Sequence, residues 1–152
     1  MRAARAFALA LAFAACSGQP ADRPAAADRS TAARGDDAAT IEQGRTYTQW
    51  LFGGELDKLW ARFTPEMQRT FATPRDLAAF AARTSEDLGN ETGTPSENAT
   101  TAGGMRVYSR TVQFARSPRP VEVQWTLAAD GGVTGMFVRP TPVDSTPSKA
   151  AQ

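Results

Sequence analysis

The chain has 152 residues, with 17 Lys or Arg against 16 Asp or Glu, one cysteine and no histidine. The missing imidazole excludes serine-histidine and cysteine-histidine nucleophiles and histidine-bearing metal sites. A single cysteine excludes an internal disulfide and a thiolate cluster, and the balanced, scattered charge argues against a nucleic-acid binder. Carboxylate or tyrosine chemistry, the binding of a hard cation by oxygen ligands, and a role without catalysis remain.

The first residues have the composition of an export signal. Arg2 and Arg5 precede an uncharged apolar run over residues 6–15. This run is too short to span a bilayer as a permanent helix, which needs about 20 residues. We therefore predict that residues 1–15 form a signal peptide.

The only cysteine lies directly after that run. The segment Phe13-Ala14-Ala15-Cys16 resembles the bacterial lipobox, with phenylalanine where leucine is usual. The resemblance implies that Cys16 is lipidated and anchors the mature protein durably in a membrane. Ser17 in the next position implies the outer membrane, with the protein facing the periplasm. The alternative is an ordinary secretory signal in which the cysteine is incidental.

After Cys16, nearly all of the larger apolar side chains lie between residues 41 and 138. Between residues 17 and 40 there is no Val, Ile, Leu, Met, Phe, Tyr or Trp. Such a segment buries too little apolar surface to offset the entropy of ordering. We predict a flexible lipid-anchored tether over residues 16–36, one folded domain over residues 37–140 and a disordered tail over residues 141–152.

The first half of the domain has helical spacing. A first helix is predicted to start behind Asp36 or Asp37 and to end at Gly53, and a short helix follows. Thr64 and Thr73 each precede a proline, which predicts two further helix starts with threonine at the N-cap and proline at the first helical position.

After residue 90 the apolar residues alternate with polar ones, as in half-buried antiparallel strands. The segment Asp130-Gly131-Gly132 predicts a hairpin turn, and Pro140 is expected to end the last strand. Residues 90–104 are either a poor edge strand or a loop. Helices followed by a strand meander predict an α+β fold.

Two motifs resemble a bacterial domain family of uncharacterised function. They run from Gly53 to Met67 and from Asp130 to Pro140, and the resemblance covers residues 38–140. It implies a nuclear transport factor 2-like (cystatin-like) cone, in which N-terminal helices pack on a curved antiparallel sheet. Family members often precede α/β-hydrolase or serine-hydrolase domains, but this chain has no Gly-x-Ser-x-Gly elbow and no Ser-x-x-Lys motif. A hydrolytic activity is therefore not implied.

Aromatic side chains are the candidate ligand-binding residues, because apolar pockets with a few polar groups are the usual small-molecule sites. Trp50 lies off the apolar face of its helix and is expected at solvent, at a partner or at a pocket rim. The alternative is that these residues form the core. The six candidates are Tyr47, Trp50, Trp60, Tyr108, Trp125 and Phe137.

These features predict a lipid-anchored, non-catalytic module of the cell envelope. It is expected to bind a small apolar ligand or an envelope protein, including a second copy of itself. We expect no catalytic residue, no metal and no other cofactor. The alternative is an envelope enzyme, or an accessory subunit of a hydrolase, that uses carboxylate and tyrosine groups. A buried pair of Tyr108 with an acid would favour intrinsic catalysis.

Overall fold

The computed structural model describes residues 25–142, with side chains from residue 34 onward. Within these residues, helices precede strands and the strands form one antiparallel sheet in the order β1-β2-β3-β4. The fold is therefore α+β, as predicted, and the sheet is open. The elements are α1 (Ala25–Gly53), α2 (Leu56–Trp60), α3 (Pro65–Phe71), α4 (Pro74–Leu88), β1 (Ser96–Ala102), β2 (Met105–Val112), β3 (Val121–Leu127) and β4 (Val133–Pro140).

The predicted signal peptide, Cys16 and residues 143–152 of the predicted tail lie outside the described residues. In the part of the chain that is described, no helix has both the length and the apolar character needed to cross a bilayer.

Helix α1 begins at Ala25, whereas the sequence pattern predicts a start behind Asp36 or Asp37. Its first turns are rich in alanine, which has the highest intrinsic helix propensity, but they carry no larger apolar residue. Among the side chains that are described, from residue 34 onward, buried residues begin at Thr40. The periodicity of apolar side chains therefore detects the second half of α1 and misses the turns that overlap the predicted tether from Ala25 onward.

The threonine caps start α3 and α4 where they are predicted. The Oγ1 atom of Thr64 accepts a hydrogen bond from the backbone N–H of Met67 at 3.4 Å, and Thr73 accepts one from Asp76 at 3.2 Å. Proline follows each threonine as the first helical residue. These caps satisfy backbone N–H groups that have no partner inside the helix.

The sheet resolves the open alternative for residues 90–104, because this segment contains the edge strand β1. Tyr108 of β2 pairs with Trp125 of β3, which pairs in turn with Met136 of β4. Every second residue of β3 faces the helices and is buried. These residues are Val121, Val123, Trp125 and Leu127. Gly131 has φ of 86° in the predicted turn before β4, a conformation that favours glycine.

Helix α1 approaches the sheet most closely at Gly44. A Cβ atom placed on Gly44 would lie inside the van der Waals radius of the Tyr108 ring. Glycine therefore allows the helix backbone to rest on β2. This contact sets the height of α1 above the sheet and so positions the side chains on both sides of the helix.

Candidate functional site

Three of the predicted aromatic residues meet beneath α1. The ring centroids of Tyr47 and Trp125 are 5.9 Å apart in an edge-to-face arrangement, and those of Tyr47 and Trp50 are 5.5 Å apart. Tyr47, Tyr108 and Trp125 are buried, and Trp50 is half-buried against the same cluster. The structure therefore places Tyr47, Tyr108 and Trp125 in the helix-sheet core and Trp50 at the edge of that core.

The polar ends of the buried aromatic residues have partners inside the protein. Tyr47 donates its hydroxyl hydrogen to the carbonyl oxygen of Gly131 at 2.8 Å. The Nε1–H of Trp125 donates to the Oγ1 of Thr48 at 2.9 Å. Buried polar groups are almost always satisfied in this way, so these side chains already have the surroundings of core residues.

The other two predicted residues lie elsewhere. Trp60 is half-buried, with its ring centroid 5.8 Å from that of Phe63. Phe137 is 53% exposed on β4. It pairs with Gln124, between the inward-facing residues of β3, and so projects from the outer face of the sheet. The six residues therefore do not line one cavity.

A cleft of about 380 Å³ opens beside the aromatic core, between α1 and the first two strands. It combines side chains from the C-terminal half of α1, the loop before β1 and the strands β1 and β2. Its lining consists of Arg45, Thr48, Gln49, Phe52, Glu91, Pro95, Glu97 and Arg110. None of the six predicted residues belongs to this lining, but Tyr108 contacts it through Glu97.

Two ion pairs stand at the sides of the cleft. The Nε and Nη2 atoms of Arg45 donate to Glu97, with the shortest distance 2.6 Å, and join α1 to β1. The two terminal nitrogens of Arg110 donate to the two oxygens of Glu91 at 2.6 and 2.7 Å. Such bidentate pairs fix geometry as well as charge. They join the elements around the cleft while leaving the space between them open.

Tyr108 donates its hydroxyl hydrogen to Oε1 of Glu97 at 2.6 Å. The hydrogen bonds from Arg45 hold the pKa of Glu97 below its usual range. Burial, followed by the hydrogen bond to Glu97, raises the pKa of Tyr108 above its usual range. Both shifts move the pKa of the group further from neutral pH. Glu97 therefore stays a carboxylate acceptor and Tyr108 a neutral donor.

Phe52 is the aromatic residue of the cleft lining. The Phe52 ring lies 5.8 Å, centroid to centroid, from that of Phe114. A second depression, of about 220 Å³, shares Phe52 and Glu91 with the cleft and adds Phe114 and the C-terminal end of α4. The two depressions therefore adjoin at Phe52 and Glu91.

Sequence reasoning missed the charged residues of the cleft. One signal was present, because Arg110 has the same parity as Tyr108 and Val112 on β2 and so faces the helices. The position of Glu97 opposite Arg110 depends on the pairing register of β1 and β2. That register requires β1 to be known as a strand, which the sequence leaves open.

Within residues 25–142, no group of three or more Cys, Asp or Glu side chains is arranged to hold a metal ion. Comparison with protein-family models, curated proteins and solved structures finds no match for this chain. The function must therefore be inferred from the cleft and its side chains.

Proposed function

We propose that this protein is a lipid-anchored, non-catalytic module of the bacterial cell envelope that binds a small, mainly apolar ligand in the cleft between α1 and the β1-β2 hairpin. The cleft carries this proposal. Its volume of about 380 Å³ falls within the range of about 300–1,000 Å³ that is usual for small-molecule sites. Phe52 and Pro95 supply apolar contact, and the ion pairs supply a few fixed polar groups.

The ion pairs narrow the class of ligand. Each guanidinium at the cleft is matched with a carboxylate, Arg45 with Glu97 and Arg110 with Glu91. A charged ligand would have to compete with a bidentate partner that is already in place. A neutral ligand with one or two hydrogen-bonding groups meets no such competition, and the structure favours it.

The buried contact between Tyr108 and Glu97 is the observation that favours the alternative, an enzyme or an accessory subunit of a hydrolase. General acid-base catalysis works best when the pKa of the catalytic group lies near the working pH. The pKa of Glu97 is lowered and that of Tyr108 is raised. The pair is therefore better suited to holding the cleft in shape than to moving a proton.

We also propose that the domain is a nuclear transport factor 2-like cone. Helices that precede an antiparallel meander, with a cleft between the first helix and the sheet, support this fold. Attachment to the outer membrane through Cys16 is proposed from the lipobox resemblance alone.

Native mass spectrometry of the full chain, purified from the cell envelope in mild detergent, tests the cleft. Gln49→Trp fills the cleft without removing a core side chain, and Ala82→Trp places the same ring on the exposed side of α4. We expect a small non-covalent ligand on the unmodified chain and on Ala82→Trp, and at least about tenfold less on Gln49→Trp. Equal ligand on all three proteins, or none on any, would contradict the proposal.

The anchor has a separate test. Cys16→Ala is expected to abolish labelling by a radioactive or clickable fatty acid and to release the protein from the membrane fraction. Ser17→Ala is the matched control and should keep both. Acyl labelling that persists in Cys16→Ala would show that the cysteine is not the anchor.

A further inference from the structure

The two edges of the sheet differ in what covers them. At the β4 edge, the segment before α3 pairs with the first residue of the strand: the N–H of Val133 donates to the carbonyl oxygen of Arg62 at 2.7 Å, and the N–H of Thr64 donates to that of Val133 at 3.0 Å. The same strand ends in Pro140, which has no N–H to offer. Within residues 25–142, no backbone hydrogen bond joins β1 to any segment other than β2. The edge of β1 is therefore open.

Strand β1 also lacks two of the features that protect an edge. It contains no proline and no lysine, the residues that natural sheets place on edges to prevent pairing with another strand. Its only charged residue, Glu97, is held by Arg45 on the side of the helices. An open edge of this kind offers a row of backbone donors and acceptors to a further strand.

The side chains of β1 favour an identical strand over a foreign peptide. Peptides that add to a sheet edge are selected by pockets for their alternate side chains. The outer face of β1 carries only small side chains and offers no such pocket. These residues are Ser96, Asn98, Thr100 and Ala102.

We propose that β1 pairs in antiparallel orientation with β1 of a second copy of this chain, around a two-fold axis at Ala99, to form one eight-stranded sheet. Ala99 is the middle residue of β1, so this register pairs all of its residues. It places Asn98 opposite Thr100 of the second copy and Glu97 opposite Thr101 of the second copy. The helix-facing sides of the two sheets then lie on the same side of the joined sheet, and no two acidic residues oppose each other.

The same two-fold axis places both α1 helices on one face of the joined sheet, running antiparallel. A single strand pair buries less than the roughly 1,200–2,000 Å² of a standard interface, so we expect a weak dimer.

Disulfide trapping of the full chain in cells tests this register. In Ala99→Cys the two new thiols would face each other across the axis, with Cβ atoms about 4.5–5.5 Å apart, close enough to cross-link on oxidation. In Thr101→Cys, on the same strand and face, the register separates them by four residues, or roughly 13 Å. We expect a covalent dimer from Ala99→Cys and at least about tenfold less from Thr101→Cys. The unmodified chain, whose single cysteine is Cys16, controls for cross-linking through that residue.

Charge substitutions provide an independent readout by sedimentation equilibrium in detergent. Asn98→Lys with Thr100→Lys would set like charges opposite each other and should weaken the dimer by about tenfold or more. Asn98→Glu with Thr100→Lys sets opposite charges across the same pairs and should restore it. Gln124→Lys with Thr126→Lys, on the central strand β3, is the control and should not change the dimer.

A monomer at every concentration, equal cross-linking at both cysteine positions, or no effect of the lysine pair would overturn the proposal. Failure of the dimer would leave the proposed ligand binding in the cleft unaffected, because that binding is tested by other variants.

Discussion

The two sides of α1 meet the same sheet with different results. On one side, the buried ring of Tyr47 packs edge-to-face against Trp125, and its hydroxyl bonds to Gly131. On the other side, Gln49 and Phe52 border a cleft of about 380 Å³. Both sides of α1 have aromatic and polar side chains, so residue type alone does not distinguish a packed core from a binding site.

The difference arises from what spans the gap between helix and sheet. Aromatic rings fill the space on the first side and bring the two layers into contact. On the second side, the long side chains of Arg45 and Glu97 bridge from α1 to β1 through charge-assisted hydrogen bonds. Such a bridge holds the layers together without filling the volume between them. The cleft therefore exists because charged side chains, and not packed apolar ones, connect α1 to the sheet on this side.

The largest expected effect comes from the point where α1 touches the sheet. Gly44→Ala would force the helix away from Tyr108 and should lower the free energy of unfolding by about 2–3 kcal/mol. Gly35→Ala, in the same helix with nothing near its Cβ position, should raise it by about 0.5–1 kcal/mol. Urea unfolding measures both. Equal stability of the two variants would mean that α1 does not approach β2 this closely.

The next effect tests the buried hydrogen bond between Trp125 and Thr48 of α1. Thr48→Val keeps the shape of the side chain but leaves the buried Nε1–H of Trp125 without its acceptor, which should reduce stability by about 1–3 kcal/mol. Thr46→Val removes a similar bond, from Thr46 to the carbonyl oxygen of Glu42 in an exposed position. It should change stability by less than about 0.5 kcal/mol. Thermal unfolding followed by circular dichroism distinguishes the two.

A smaller and pH-dependent effect tests the ionic side. Because the pKa of Glu97 is lower in the folded than in the unfolded protein, its ionised form stabilises the fold above the unfolded pKa of about 4.3. This contribution is lost as the pH falls through the folded pKa. Glu97→Gln should therefore be less stable than the unmodified chain at neutral pH, by about 1–2 kcal/mol. The difference should shrink in acid.

Urea unfolding at several pH values measures this dependence. Glu42→Gln is the control, because Glu42 also bonds to Arg45 but is exposed. A gap between Glu97→Gln and the unmodified chain that widens in acid would contradict the assigned role of Glu97.

The smallest effect concerns the predicted residue on the outer face of the sheet, Phe137. Phe137→Ala removes a ring that is 53% exposed on the outer face of the sheet. It should change the free energy of unfolding by less than about 0.5 kcal/mol and should leave ligand binding unchanged. Isothermal titration with the neutral dye N-phenyl-1-naphthylamine checks the binding. A large loss of affinity would assign Phe137 to the site after all.

Parts of the fold were predictable because their signals are local. The threonine caps before Pro65 and Pro74 bond to N–H groups three residues ahead, so the sequence itself contains the whole motif. The N-terminal half of α1 was not predictable from periodicity, because alanine forms helix without marking a buried face. The strand at residues 96–102 is polar and exposed, and only its pairing with β2 identifies it.

The candidate site was harder to predict for a related reason. Aromatic residues such as Tyr47 and Trp125 attract attention in a sequence, but the protein uses them as core. The cleft instead brings together charged side chains that are far apart in the chain, such as Arg45 and Glu97. Their meeting depends on where α1 crosses β1 and on the strand register, and neither is encoded in a local pattern.

The most direct test of the cleft is a two-dimensional NMR titration of the chain with N-phenyl-1-naphthylamine as an apolar probe. We expect saturable chemical-shift changes at the backbone amides of Gln49, Glu91 and Arg110, which line the cleft, and their loss in Gln49→Trp. Shifts confined to the outer sheet face around Gln124, or no saturable shift at the cleft, would contradict the account.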